Sequence, residues 1–148
     1  MDKEQIVGTW NLISYELRLR DGIVIRPMGE GVQGILMYDA QGHVVVELMD
    51  PERRYFESGD WLKGTPEEIK EAFEGSLAYY GTYELEEHKG MILHHIQGCT
   101  FPNWSGTDQE RIIELAGDKL KLITPMISLS GEELVGHLTF QRAQPGYK

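Results

Sequence analysis

Two adjacent histidines, His94 and His95, stand in an apolar, β-branched run. A Phe101-Pro102-Asn103-Trp104-x-Gly106 turn follows, and then Arg111 at the head of another strand-like segment. An imidazole titrates near physiological pH, so it can serve as a hydrogen-bonding handle or as a general base. A guanidinium keeps its charge everywhere, and inside a protein it needs a carboxylate or an anionic ligand. With the carboxamide of Asn103 and the indole of Trp104, these groups would form one wall of a polar-tipped pocket.

Strand geometry limits what the histidines can do together. Neighbours in a strand point to opposite faces, so Ile92, His94 and Ile96 share one side while Leu93, His95, Gln97 and Cys99 share the other. Both sides are mixed, and period alone does not choose the inward one. Two histidines on opposite faces cannot chelate one ion, so no metal is expected. For Arg111 the sequence offers Glu47, flanked by valines, and Glu84 as internal partners. Such a pair would be structural, whereas an unpaired Arg111 would be a carboxylate-binding group. Tyr79, Tyr80 and Tyr83 can add hydroxyls over an apolar body, or simply be satisfied core phenols. Cys99, without a nearby helix start, reads as inert packing. The chain has no His-Glu-x-x-His, paired Cys, P-loop, Gly-x-Ser-x-Gly or Gly-x-Gly-x-x-Gly after a strand, and no cofactor is expected.

The elements that must position these residues are mostly strands. Ile6 to about Arg20 alternates as a long strand, Asp21-Gly22 is a hairpin turn, and Ile23-Val24-Ile25 returns. Ile35 to Tyr38 and His43 to Met49 form a second hairpin, and a polar segment from Glu52 to Gly64 reads as loop. Tyr55, Phe56 and Trp61 lie in that loop, and are expected to fold back as a lid or else to serve an interface. Thr65-Pro66-Glu67-Glu68 is a helix start with a capping box. Ile69, Ala72, Phe73, Ser76, Leu77 and Tyr80 then share a face, which predicts a helix of about four turns, from about Thr65 to Tyr79. Strand patterns resume from Thr82 and run in hairpins to Arg142. Eight to ten antiparallel strands with one inserted helix predict an all-β meander closed into a barrel, or a sandwich.

The 148 residues suit a single domain, 1–148, able to bury its own core. Hydrophobic residues at 41% and charged residues at 26% are globular proportions. The net charge of −10 argues against nucleic acid and anionic membrane surfaces as partners. One cysteine calls for no oxidising compartment, and the polar start and lack of an apolar run of ~20 residues point to a cytoplasmic setting.

Several landmarks recur in order along the chain: Gly8-Thr9-Trp10, Pro27-x-Gly29, Gly34-x-Leu36-x-Tyr38-Asp39-x-x-Gly42, Tyr80-Gly81-Thr82-Tyr83, His94-His95, Phe101-Pro102-Asn103-Trp104-x-Gly106-Thr107, Arg111 and Leu138-x-Phe140-x-Arg142. With these the chain resembles the lipocalin-like domain family of the calycin group. The resemblance implies a lipocalin-like antiparallel β-barrel of eight to ten strands around a central cavity. It also implies that Trp10 packs beneath the basic Arg142 to close the barrel, and it favours His94 as the inward histidine.

The expected function is binding of a small, mostly apolar molecule with a polar or anionic head in that cavity. The expected ligand-binding residues are His94, Arg111, Asn103, Trp104, Tyr80, Tyr83 and Glu47. A second reading is a cofactor-independent enzyme of isomerase, cyclase or hydratase type, with His94 and Tyr83 as candidate catalytic groups. A third is a structural or partner-binding module, which includes a homodimer.

Overall fold

The computed structural model describes residues 1–146. The alternating segments form nine strands: β1 (Gly8–Leu19), β2 (Val24–Ile25), β3 (Gln33–Tyr38), β4 (His43–Met49), β5 (Ser76–Glu86), β6 (Met91–Cys99), β7 (Asp108–Ala116), β8 (Lys119–Leu129) and β9 (Glu132–Arg142). All pairings are antiparallel, and from β3 onward each strand pairs with its successor. β1 pairs with β3 and also with β9, placing Trp10 opposite Arg142 and Leu19 opposite Leu134. Eight strands therefore close a barrel, and β2 is an extra strand beside the later half of β1. Closure leaves these eight strands without the long free edges that invite aggregation.

The period of two decides what lies inside. In β4, Val44, Val46 and Leu48 are buried while His43, Val45 and Glu47 face outward. In β6, Ile92, His94 and Ile96 are the buried set, so His94 faces the interior and His95 the surface. One end of the barrel is packed solid. Trp10 is fully buried there and its indole N–H donates to the Ile6 carbonyl at 2.9 Å. Ile6 belongs to α1 (Lys3–Ile6), a single turn held by a reciprocal Asp2–Gln5 capping box. The Arg142 guanidinium lies 4.1 Å from the Trp10 ring centre and donates to the carbonyls of Gln5 and Val7. First strand, last strand and N-terminal turn are thus tied through one indole.

The inserted helix is shorter than its pattern predicts. α2 spans Pro66–Glu74, with the Thr65–Glu68 capping box formed and Pro66 in its first turn. It ends at Gly75, and Ser76 to Tyr80 are strand, not helix, because they pair residue for residue with Val45 to Met49. The helical spacing of Ser76, Leu77 and Tyr80 was overridden by β4, which offers a complete ladder of hydrogen bonds. Ile69 and Phe73 remain half exposed. The loop before α2 is no lid either, since Tyr55 and Trp61 are 95% and 88% exposed. Its order comes from α2 itself: Glu71 accepts from the Arg54 backbone and side chain, and Glu68 from the Glu57 N–H. Among the described residues, no helix is long and apolar enough to cross a membrane.

Candidate functional site

The β5–β6 pairing, which contains a β-bulge, positions the site. In the β5–β6 pairing, Tyr80 faces Gly98 but Gly81 faces Ile96, leaving Gln97 as the extra residue. Gly81 is required here, because a Cβ at that position would collide with the His95 carbonyl. Across the bulge, Tyr79 and Tyr83 of β5 turn inward while Tyr80 stays 57% exposed.

Inside, His94 is completely buried between two tyrosines. The Tyr38 hydroxyl lies 2.7 Å from its Nε2, and the Tyr79 hydroxyl lies 2.6 Å from its Nδ1. In a neutral imidazole one nitrogen carries a proton and the other a lone pair. One tyrosine therefore donates to the ring, and the other accepts from it. Burial, with the nearby charge of Arg111 and then His95, lowers the His94 pKa to about 3. Burial likewise raises the pKa values of Tyr38 and Tyr79. The Tyr38–His94–Tyr79 chain is neutral at any ordinary pH.

Arg111 supplies the charge. It is 5% exposed, and one of its N–H groups donates to the Glu110 carbonyl at 2.8 Å. Its guanidinium lies 5.9 Å from the centre of the Trp104 ring, which in turn meets Tyr79 edge-on at 6.5 Å. Among the described residues no carboxylate is within ion-pair distance of it. Glu47 is on the outer surface, and Glu84 is exposed beside His95. The internal Arg–Glu pairing open to the sequence is not formed.

A cavity opens on this cluster, lined among others by Tyr15, Leu77, Tyr79, Trp104, Arg111 and Phe140. Its volume is about 540 Å³, part of it open to solvent at the mouth. Its walls are mostly apolar, with Gln109 and Thr124 as further polar groups. Such a site has the chemistry of ligand binding: an apolar slot with few polar anchors.

The structure thus brings together His94, Arg111 and Trp104 from the expected set. Tyr83 is inward, but its hydroxyl donates to the Asp39 carbonyl at 2.7 Å and holds the β3–β4 turn. Asn103 is exposed in the 3-10 turn Pro102–Trp104, and Tyr80 and Glu47 are on the outer face. Tyr38, Tyr15 and Gln109 were missed. Tyr38 was legible in principle, since it shares parity with Leu36 in a strand next to Asp39-x-x-Gly42. On the surface, His95 contacts Asp108 at 2.7 Å and Glu84 at 3.4 Å, and its pKa is raised first by the Asp108 hydrogen bond. No group of three or more His, Cys, Asp or Glu among the described residues is placed to hold a metal ion.

Comparison with known proteins adds two findings. The model of the lipocalin-like domain matches residues 7–143. Over 104 residues the chain is 33% identical to a 4'-hydroxy-3'-methoxypropiophenone carrier protein of Aspergillus oryzae, an alignment covering 65% of this chain and 93% of that one. No solved structure matches.

Proposed function

The chain belongs to the lipocalin-like domain family, and on that premise we propose that it binds a small, mostly apolar molecule with a polar or anionic head in its barrel cavity. Arg111 is the observation that carries this reading. It is a permanent charge, buried without a carboxylate, at the edge of an otherwise apolar slot. Burying a charge without a carboxylate costs several kcal/mol, and an anionic partner in the cavity would offset more of it than the Glu110 carbonyl and the Trp104 ring do. The fungal relative's name supports a carrier role, and the molecule in that name combines an aromatic ring with a phenol and a ketone. The lone, half-buried Cys99 suits a cytoplasmic carrier.

The catalytic reading draws less from the site. A base needs a free lone pair and a pKa near the working pH. Both nitrogens of His94 are engaged by tyrosines, and its basicity is far below neutral.

The test is a titration with 4'-hydroxy-3'-methoxypropiophenone, followed by tryptophan fluorescence in a Trp61→Phe background, with Trp104→Phe as the control for the signal of Trp10. Saturable one-to-one binding is expected. Arg111→Met should weaken it about 10- to 100-fold, the effect of losing a hydrogen bond to a charged group. Undiminished affinity in Arg111→Met would remove Arg111 from the site.

A further inference from the structure

We propose that the cavity takes its ligand's head as an aryl oxyanion, a phenolate, and so acidifies the phenol it carries. The inference rests on the cavity being the binding site and names the chemical class and protonation state of what enters it.

The first support is that the protein does not neutralise its own buried cation. Around Arg111 of β7, the titratable groups are Tyr15 from β1, Tyr38 from β3, Tyr79 from β5 and His94 from β6. β4, β8 and β9 present Val46, Leu48, Leu122, Thr124, Ile127, Leu138 and Phe140 to the cavity, none of them titratable. The three tyrosines are held as phenols and the histidine as neutral imidazole. The interior therefore carries a single positive charge.

The second support is the direction in which protons point. Arg111 donates one N–H to the Glu110 carbonyl, and its side chain lines the cavity beside Tyr79. The His94 tautomer governs Tyr79. When Tyr38 donates to Nε2, the Nδ1–H donates to the Tyr79 oxygen, and the Tyr79 hydroxyl hydrogen is released toward the cavity. In that tautomer an acceptor placed there meets the Tyr79 hydroxyl as a donor beside the Arg111 guanidinium, which also lies within hydrogen-bonding reach of the Tyr79 oxygen. An anion fits that arrangement; a second donor does not. The third support is the lining, because the aromatic side chains of Tyr15, Trp104 and Phe140 offer ring faces and edges that suit an aromatic ligand.

The proton step balances simply. The phenol O–H bond breaks, the electron pair stays on oxygen, and one proton passes to buffer when the working pH lies below the ligand's free pKa. An opposite charge at this distance lowers an acid's pKa by about 1–3 units.

The experiment uses the full chain with 4-nitrophenol, whose phenolate absorbs apart from the phenol, and 4-nitroanisole, which cannot ionise. Bound 4-nitrophenol should titrate at least about one unit below the free compound, and Arg111→Met should abolish that shift. Tyr79→Phe should reduce it, with circular dichroism confirming the fold of both variants. 4-Nitroanisole should displace 4-nitrophenol, but bind at least about 10-fold more weakly at a pH where the phenol is ionised. A bound pKa at or above the free value, or a shift surviving Arg111→Met, overturns the oxyanion inference. If both compounds bind equally well, the oxyanion inference falls and the cavity reading stands. If neither perturbs Trp104, the cavity reading falls and takes this one with it. Should Arg111→Met fail to fold, the comparison of the two compounds on the wild-type chain decides.

Discussion

His94 and His95 are neighbours with opposite electrostatic fates, and that contrast is measurable. His94 is fully buried between Tyr38 and Tyr79 and has its pKa lowered to about 3. The unfolded chain takes up a proton there near pH 6.5, whereas the folded chain does not. Stability from this residue is therefore full above about pH 6.5 and is lost as pH falls toward 3, at about 1.4 kcal/mol per unit. His95 has the reverse sign, since Asp108 and Glu84 raise its pKa. Its contribution is full below the unfolded value and fades as pH rises through the folded one. Replacing His94 with Phe should destabilise the protein by about 2–5 kcal/mol, because two buried hydroxyls lose their partner. Urea unfolding across pH 4 to 8 should also show the acid-side slope flattened in His94→Phe and retained in His95→Gln. An unchanged slope in His94→Phe would mean that His94 is not the buried neutral group described.

The β5–β6 pairing is the element on which the site turns. Tyr79, Gly81 and Tyr83 share the inward parity of β5, and Tyr83 stands opposite His94, so the pairing brings Tyr79 and His94 to the interior together. Gly81 makes the close approach to β6 possible. Gly81→Ala is expected to cost about 3 kcal/mol through forced strand separation. It should also loosen the Tyr79–His94 contact, so ligand affinity should fall with stability. A variant as stable as the parent in thermal melting would show that the two strands have room to spare. The closed end responds differently. Ile6, Trp10 and Arg142 do not line the cavity, so their substitution should lower stability more than ligand affinity.

At the scale of the molecule, a negative exterior surrounds a positive interior. The chain carries a net charge of −10, while the cavity holds the single cation of Arg111. The outer field repels an approaching anion and is screened by salt, with a Debye length of about 10 Å at 0.1 M. The buried contact is screened much less. Stopped-flow binding of 4-nitrophenol above its pKa should therefore show an association rate that rises between about 20 and 500 mM salt, with dissociation nearly constant. Salt that slows association would mean that the ligand meets a local positive surface instead.

Alternation of side chains along each strand and turn residues such as Asp39-x-x-Gly42 were enough to read antiparallel strands with one inserted helix, in a barrel or a sandwich, and the family resemblance carried by the landmarks chose the barrel. These are local signals, written at the period of the strand itself. The capping box at Thr65 and Glu68 was legible for the same reason. The far end of α2 was not. Helical and strand patterns coincide over Ser76 to Tyr80, and only the presence of β4 alongside decided for strand. The inward face of the histidine strand was likewise set by its neighbours, because both faces of that segment mix apolar and polar residues. The partners of a buried group are long-range by nature. Tyr38 lies 56 residues from His94, and nothing near either one announces the other. Glu47 looked internal because valines precede it, yet alternation puts it outward with Val45 while Val44, Val46 and Leu48 point in. The sequence by itself therefore determined the elements and the chemistry at hand. Which of those groups share the interior, and that Arg111 faces it without a carboxylate, was decided by barrel closure, since only closure fixes which side of every strand is inside.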